Sequence, residues 1–251
     1  MFELHLRQAL QALARLFGYP ASDTLFAVER LYVLLQHEIP LAAAEIAQFG
    51  ERTQRLPLEQ LEEIYTRTFE IHSKCAPEIG WHLFGEEFTR GMLLVRMREE
   101  LAKYGISEST ELPDHISHVL QLAAVMPRQE ADRFVPACVF PALVKMRASA
   151  ERMGSPYSHV IACLEEIVRH EWGPLLSGGE GETAEGFPAG VDPLHAFPVL
   201  GQEGNGCGGC GAPGFPAADP PGASGVDMPG CIDEMALPTN PRFYEDPNDE
   251  S

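Results

Sequence analysis

The chain changes character at Leu176-Ser177, and that break limits what each part can fold into. Residues 177–251 carry 15 of the 23 glycines and 11 of the 21 prolines, with no periodic apolar run longer than a few residues. Such a stretch cannot bury enough apolar surface to offset an ordering entropy of roughly 1–2 kcal/mol per residue. It reads as an acidic, mainly disordered tail. Residues 1–176 instead repeat one theme: apolar side chains at helical spacing, interrupted by Pro and Gly.

Leu6, Leu10, Leu13 and Phe17 fall on one helical face, and Gly18-Tyr19-Pro20 supplies the stop residues. A second helix is expected over about 23–37. Pro57 suits a first helical position before the stripe Leu58, Leu61, Tyr65 and Phe69. Leu94, Met97, Leu101 and Tyr104 carry another stripe as far as Gly105. Ser155-Pro156 gives a cap and a first-turn proline ahead of Val160, Leu164, Ile167, Val168 and Trp172. No segment alternates apolar and polar residues for long enough to suggest a strand. The expected fold is all-α: one helical bundle over 1–176, then a tail over 177–251.

Charge narrows the partners. The net charge is −19, of which residues 1–176 contribute −7 (24 acidic, 17 basic) and residues 177–251 contribute −12 (13 acidic, Arg242 alone basic). Nucleic acid is an unsuitable partner, because phosphate binding needs a basic face that neither part offers. An anionic membrane surface is disfavoured on the same ground. No run approaches the roughly 20 apolar residues of a membrane span. The opening Met1-Phe2-Glu3-Leu4-His5-Leu6-Arg7 lacks a basic stretch followed by a long apolar run, which fits a cytoplasmic protein.

Common catalytic constellations are missing from the sequence. There is no Walker-type loop, no HExxH and no Gly-x-Ser-x-Gly. His170-Glu171 begins like a zinc-protease motif but runs into Gly173-Pro174. The formal GxGxxG match at Gly204–Gly209 has no strand before it and no helix after it. A non-enzyme is expected. Of the six cysteines, Cys138 and Cys163 lie among apolar neighbours and read as core residues. His115 and His118 could share one helix face toward a metal, but a polar helix start explains them more simply. His72, Cys75 and His82 could form a mixed site, though their spacing crosses Pro77 and Gly80. The best metal-like signal is Cys207-Gly208-Gly209-Cys210 with Cys231 and the upstream His195, a possible zinc or iron–sulfur ligand set. Thiols in a flexible chain, or a transient redox pair, are the alternatives.

The most informative stretch runs from Tyr65 to Leu122. It holds Tyr65-Thr66-Arg67-Thr68-Phe69, then Trp81-His82-Leu83-Phe84-Gly85-Glu86-Glu87, then Arg90-Gly91, then Glu111-Leu112-Pro113-Asp114-His115. Gly91 inside a helix costs about 1 kcal/mol relative to Ala, which suggests close approach of another backbone or a bound chain. Pro113-Asp114 suits a helix opening, with Asp near the first free amides.

In order and separation these elements resemble the NarJ branch of the TorD/DmsD/NarJ family, the assembly chaperones of molybdenum enzymes of the nitrate reductase and type II DMSO reductase group. The likeness covers about residues 5–175. It implies an all-helical fold that binds the N-terminal segment of an apo catalytic subunit and holds it while molybdenum cofactor and iron–sulfur centres are inserted, with cofactor-insertion proteins as further partners. It also implies that Tyr65, Phe69, Trp81, His82, Leu83 and Phe84 line a client groove, with Glu86, Arg90, Pro113, Asp114 and His115 at its polar end. Core packing is the competing reading for the aromatics, and helix capping for Pro113-Asp114-His115. Two other functions stay open: a metal or iron–sulfur carrier acting through the tail cysteines, and a structural subunit of the finished reductase.

Overall fold

The computed structural model describes residues 2–176 and 193–196. Among the described residues ten α-helices follow one another: α1 (Phe2–Leu16), α2 (Thr24–Leu35), α3 (Pro40–Thr53), α4 (Leu58–Tyr65), α5 (Ile79–Phe84), α6 (Phe88–Lys103), α7 (Ile116–Val125), α8 (Arg128–Phe134), α9 (Phe140–Arg152) and α10 (Tyr157–Leu176). Among the described residues there is no strand, only one isolated antiparallel bridge between Glu78 and His115. The protein is all-α.

The longest helix, α10, is the core element. It packs against α3 and α9, while α1 packs against α2 and α7. Tyr157, Val160, Ile161, Leu164, Ile167 and Trp172 of α10 are all buried. Ser155 opens this helix, its Oγ accepting the Tyr157 N–H at 3.2 Å. Burying Trp172 is made tolerable by its indole N–H, which donates to Asp132 at 2.9 Å. The buried carboxylate of Glu165 is held by both Arg147 and Arg169. Cys138 and Cys163 are core residues.

Two helices widen into π turns, at Thr66–Glu70 after α4 and at Val135–Val139 between α8 and α9. The second has a visible cause. Pro141 has no N–H to offer, and its ring would crowd the carbonyl four residues back, Ala137, which lies within the wider turn. The first turn swings the chain out of α4 toward an extended stretch at 76–78. There Ile116 N–H donates to Pro77 O at 2.8 Å and Ile79 N–H to Asp114 O at 3.0 Å, so residues 77–79 and 114–116 lie side by side. None of the described helices is long and apolar enough to cross a membrane.

Composition assigns Pro193–Ala196 to the tail, yet these residues form a helical turn on the domain. Ala196 is buried, Leu194 packs on the core, and the Cys138 thiol donates to Pro193 O at 3.6 Å. Cys207, Cys210, Cys231 and the side chain of His195 lie outside the described residues, as does the rest of the expected tail. Among the described residues no group of three or more His, Cys, Asp and Glu is placed to hold a metal.

Candidate functional site

A cleft of about 480 Å³ opens where the π turn after α4, the 73–78 stretch, α5, the start of α6 and residues 111–115 meet. Tyr65 and Phe69 form its floor. They belong to a ring cluster with Phe17 and Tyr157, at centroid distances of 5.0 to 6.1 Å. The Tyr65 hydroxyl donates to Phe17 O at 2.9 Å, which fixes the ring from below. Trp81 forms one wall, with the Arg90 guanidinium 5.6 Å from its ring centre. Glu70, Glu78 and Glu111 supply the acidic part of the lining. Burial, reinforced by Asp114, holds the Glu78 carboxyl above the usual range. Arg90 already faces Asp114 at 3.5 Å, so the three glutamates set the charge presented to a ligand.

Beneath the cleft sits a buried carboxylate. Asp114 is fully covered, and its Oδ2 accepts the Gly80 N–H at 3.1 Å. Gly80 is the second residue of α5, so Asp114 caps that short helix from across the chain rather than capping its own. A side chain at residue 80 has no room: a Cβ there would lie 2.6 Å from Asp114 Oδ2 and 2.8 Å from Leu93 Cδ2. Burial raises the Asp114 pKa, and Arg90 and the Gly80 amide pull against that rise.

His115 contributes an unused donor. It is the N-cap of α7, with Nδ1 accepting the Ser117 N–H at 3.1 Å. A backbone amide can only donate, so Nδ1 is unprotonated and the neutral ring carries its proton on Nε2. Burial, helped by neighbouring His118, depresses the His115 pKa to about 4, so the ring is neutral near pH 7. Its Nε2 is buried without a hydrogen-bond partner, as is Asp114 Oδ1, and His115 lines the cleft. A buried donor left unpaired costs about 1–3 kcal/mol.

Of the residues read from the sequence, Tyr65, Phe69, Trp81, Arg90 and His115 line the cleft. The others do not. Leu83 is buried and Phe84 packs on the core. His82 is also buried, its Nε2 donating to Ala76 O at 2.7 Å and its own carbonyl accepting from Lys145 at 2.7 Å. Pro113 is buried and Glu86 is exposed, neither on the lining. Asp114 acts from below by positioning Gly80 and Arg90, so an Asp114/His115 double replacement would disturb the fold and not the surface alone. The His115–His118 pair is not a metal site, because His118 accepts from Ser109 N–H at 3.1 Å and donates to Leu112 O at 2.9 Å. Cys75 is buried with its thiol on Met146 O and its pKa pushed up to about 12 by burial, while His72 is exposed. Among the described residues nothing lies within 4 Å of where a Gly91 Cβ would stand, so no backbone there explains that glycine.

Sequence reasoning passed over Glu70, Glu78 and Glu111 as site residues. Glu70 and Glu111 directly follow or open quoted elements, so their position was a usable signal. Glu78 had none, since only the 77–79 and 114–116 pairing brings it to the cleft.

The fold and the cleft define an all-helical protein with an acid-lined, aromatic-floored slot on its surface. More particularly, the chain belongs to the nitrate reductase delta subunit family, whose profile matches residues 32–161 and so spans the whole cleft. This is the NarJ-type branch that the sequence elements resemble, a family of redox-enzyme maturation chaperones. Among solved structures, the chain is similar to a proposed redox enzyme maturation protein from Archaeoglobus fulgidus, at 22% identity and a TM-score of 0.47, over 65% of this chain and 93% of that one. No curated protein matches.

Proposed function

We propose that this protein is a dedicated chaperone for a nitrate reductase-like molybdenum enzyme, binding the N-terminal segment of the apo catalytic subunit in the cleft. It holds that subunit in the cytoplasm while molybdenum cofactor and iron–sulfur centres are inserted, and it works by holding, not by turnover. One observation carries the reading: a cleft floored by Tyr65 and Phe69, walled by Trp81 and edged by Glu70, Glu78 and Glu111. A peptide apolar side chain can pack against Trp81 and the Tyr65–Phe69 floor. Glu70, Glu78 and Glu111 favour a segment bearing Lys or Arg, an attraction that added salt would weaken.

Isothermal titration of the full chain with the catalytic subunit's N-terminal peptide tests this. Trp81 is only partly buried, so Trp81→Ala should leave the melting temperature within a few degrees while weakening binding. Truncating a large aromatic at a contact costs about 2 kcal/mol or more, roughly thirtyfold in affinity. Unchanged affinity for the Trp81→Ala chain would rule out this cleft as the client site.

A further inference from the structure

We propose that the client segment does not end in the cleft but continues into a second, polar groove, which takes an extended, uncharged stretch of the same peptide. The inference rests on the client-binding reading above. The second groove, about 720 Å³, lies between α1, α7 and the 106–111 loop. It adjoins the cleft by three observations. Glu111 lines both. Tyr65 of the cleft meets Tyr19 of the groove edge to face at 5.4 Å. His115 of the cleft meets His118 of the groove at 6.3 Å.

The groove's chemistry selects its occupant. The Arg15 guanidinium is taken up by Asp23 and by Tyr19 O, so it is not offered to an anion. The side chains of Gln11, Ser107, Thr110 and Gln121 line the groove and hydrogen-bond to nothing in the described chain. Amides and hydroxyls both donate and accept, which suits the alternating N–H and C=O groups of an extended backbone. The wall is already fixed, because buried His118 ties the loop down at Ser109 N–H and Leu112 O. Binding there therefore needs little loop ordering. A cleft of about 480 Å³ is at the lower end of the range for one drug-sized ligand, so a client segment of any length has to leave it, and this groove is where it leads.

The test uses two synthetic peptides from the N-terminus of a nitrate reductase-type catalytic subunit: one of about 15 residues, and one cut to the few residues that still bind. Both are titrated against the full-length chain, its Gln11→Ala/Gln121→Ala double variant and the Trp81→Ala variant. Gln11 is exposed and Gln121 half-buried, and melting curves check that the double variant stays folded. The expected result is a loss of about tenfold for the long peptide with the double variant, from two lost neutral hydrogen bonds, and no loss for the short one. Trp81→Ala should weaken both. Equal affinity of the double variant and the parent for the long peptide overturns the second groove alone. Failure of Trp81→Ala to weaken either peptide overturns the cleft reading, as does failure of both peptides to bind the parent chain, and this proposal falls with it.

Discussion

Two glycines eleven positions apart should respond to alanine in opposite directions. At Gly80 the new Cβ would sit 2.6 Å from Asp114 Oδ2, 2.8 Å from Leu93 Cδ2 and 3.3 Å from Arg90 Cγ. The carboxylate has nowhere to retreat, being fully buried and hydrogen-bonded to the Gly80 amide itself. Overpacking of this kind costs about 1–3 kcal/mol. Separating Asp114 from the amide forfeits a charge-assisted bond of about 1.5–3 kcal/mol. The better helix propensity of Ala returns about 1 kcal/mol. The net expectation for Gly80→Ala is a loss of about 2–5 kcal/mol, a fall in melting temperature of roughly 4–20 °C for a domain of this size. Gly91 is also helical, but it is exposed and a Cβ there meets nothing within 4 Å. Gly91→Ala should therefore raise stability by about 0.5–1 kcal/mol. Urea denaturation followed by circular dichroism, with m-values compared, measures both. A Gly80→Ala chain as stable as the parent would refute the close approach of Asp114 and with it the account of how the cleft is held.

Two more outcomes are expected. The His115 pKa is lowered in the folded chain from its ordinary 6.5 to about 4, so the unfolded chain binds more protons between those values and stability falls as the medium is acidified through that window. The loss should reach about 3 kcal/mol below pH 4. Asp114 and Glu78, whose carboxyls are shifted upward, oppose it in part, so comparison with His115→Asn, which keeps a capping side chain, isolates the histidine; parallel pH profiles for the two chains would count against the burial described. Separately, a chain ending at residue 176 should be less stable than one ending at 196 by about 1–3 kcal/mol, because Leu194 and Ala196 pack on the core; equal denaturation midpoints would show that the turn contributes nothing.

The helices were legible because their signals are local. Ser155 caps α10, α6 stops at Gly105 with its φ of +66°, and α2 falls inside the expected 23–37. What local pattern could not convey was the partner of a polar side chain. Asp114, one residue after a proline, has the appearance of a cap for the helix that follows it, whereas His115 holds that position and Asp114 serves a helix 34 residues earlier. Burial of Leu83 and His82 was equally hidden, since α5 presents most of its six residues inward and has too few turns for a stripe to show. The π turn at Thr66–Glu70 leaves no sequence mark that distinguishes it from a continued α4, and it is this turn that places Phe69 and Ile71 at the cleft.

The pairing of 77–79 with 114–116 also acts as a clasp on everything between. Its two backbone bonds and the Asp114–Gly80 bond close a loop of more than thirty residues that contains all of α6. Closing such a loop costs chain entropy that grows only slowly with length, so the few bonds at its neck can hold it shut. Outside the clasp, α6 buries Leu93, Met97 and Leu101 against α5, α7 and the core, Lys103 and Tyr104 at its end reach Glu130 of α8, and it turns Phe88, Met92 and Val95 to solvent. Opening of the segment from α6 to the loop at 112 as one unit, with the α3, α9 and α10 core closed, is the expected first step of local unfolding. In native-state hydrogen exchange the amides of α6 would share a common, lower protection than those of α10. A peptide lying in the cleft, in contact with both sides of the neck, would slow their exchange at a distance.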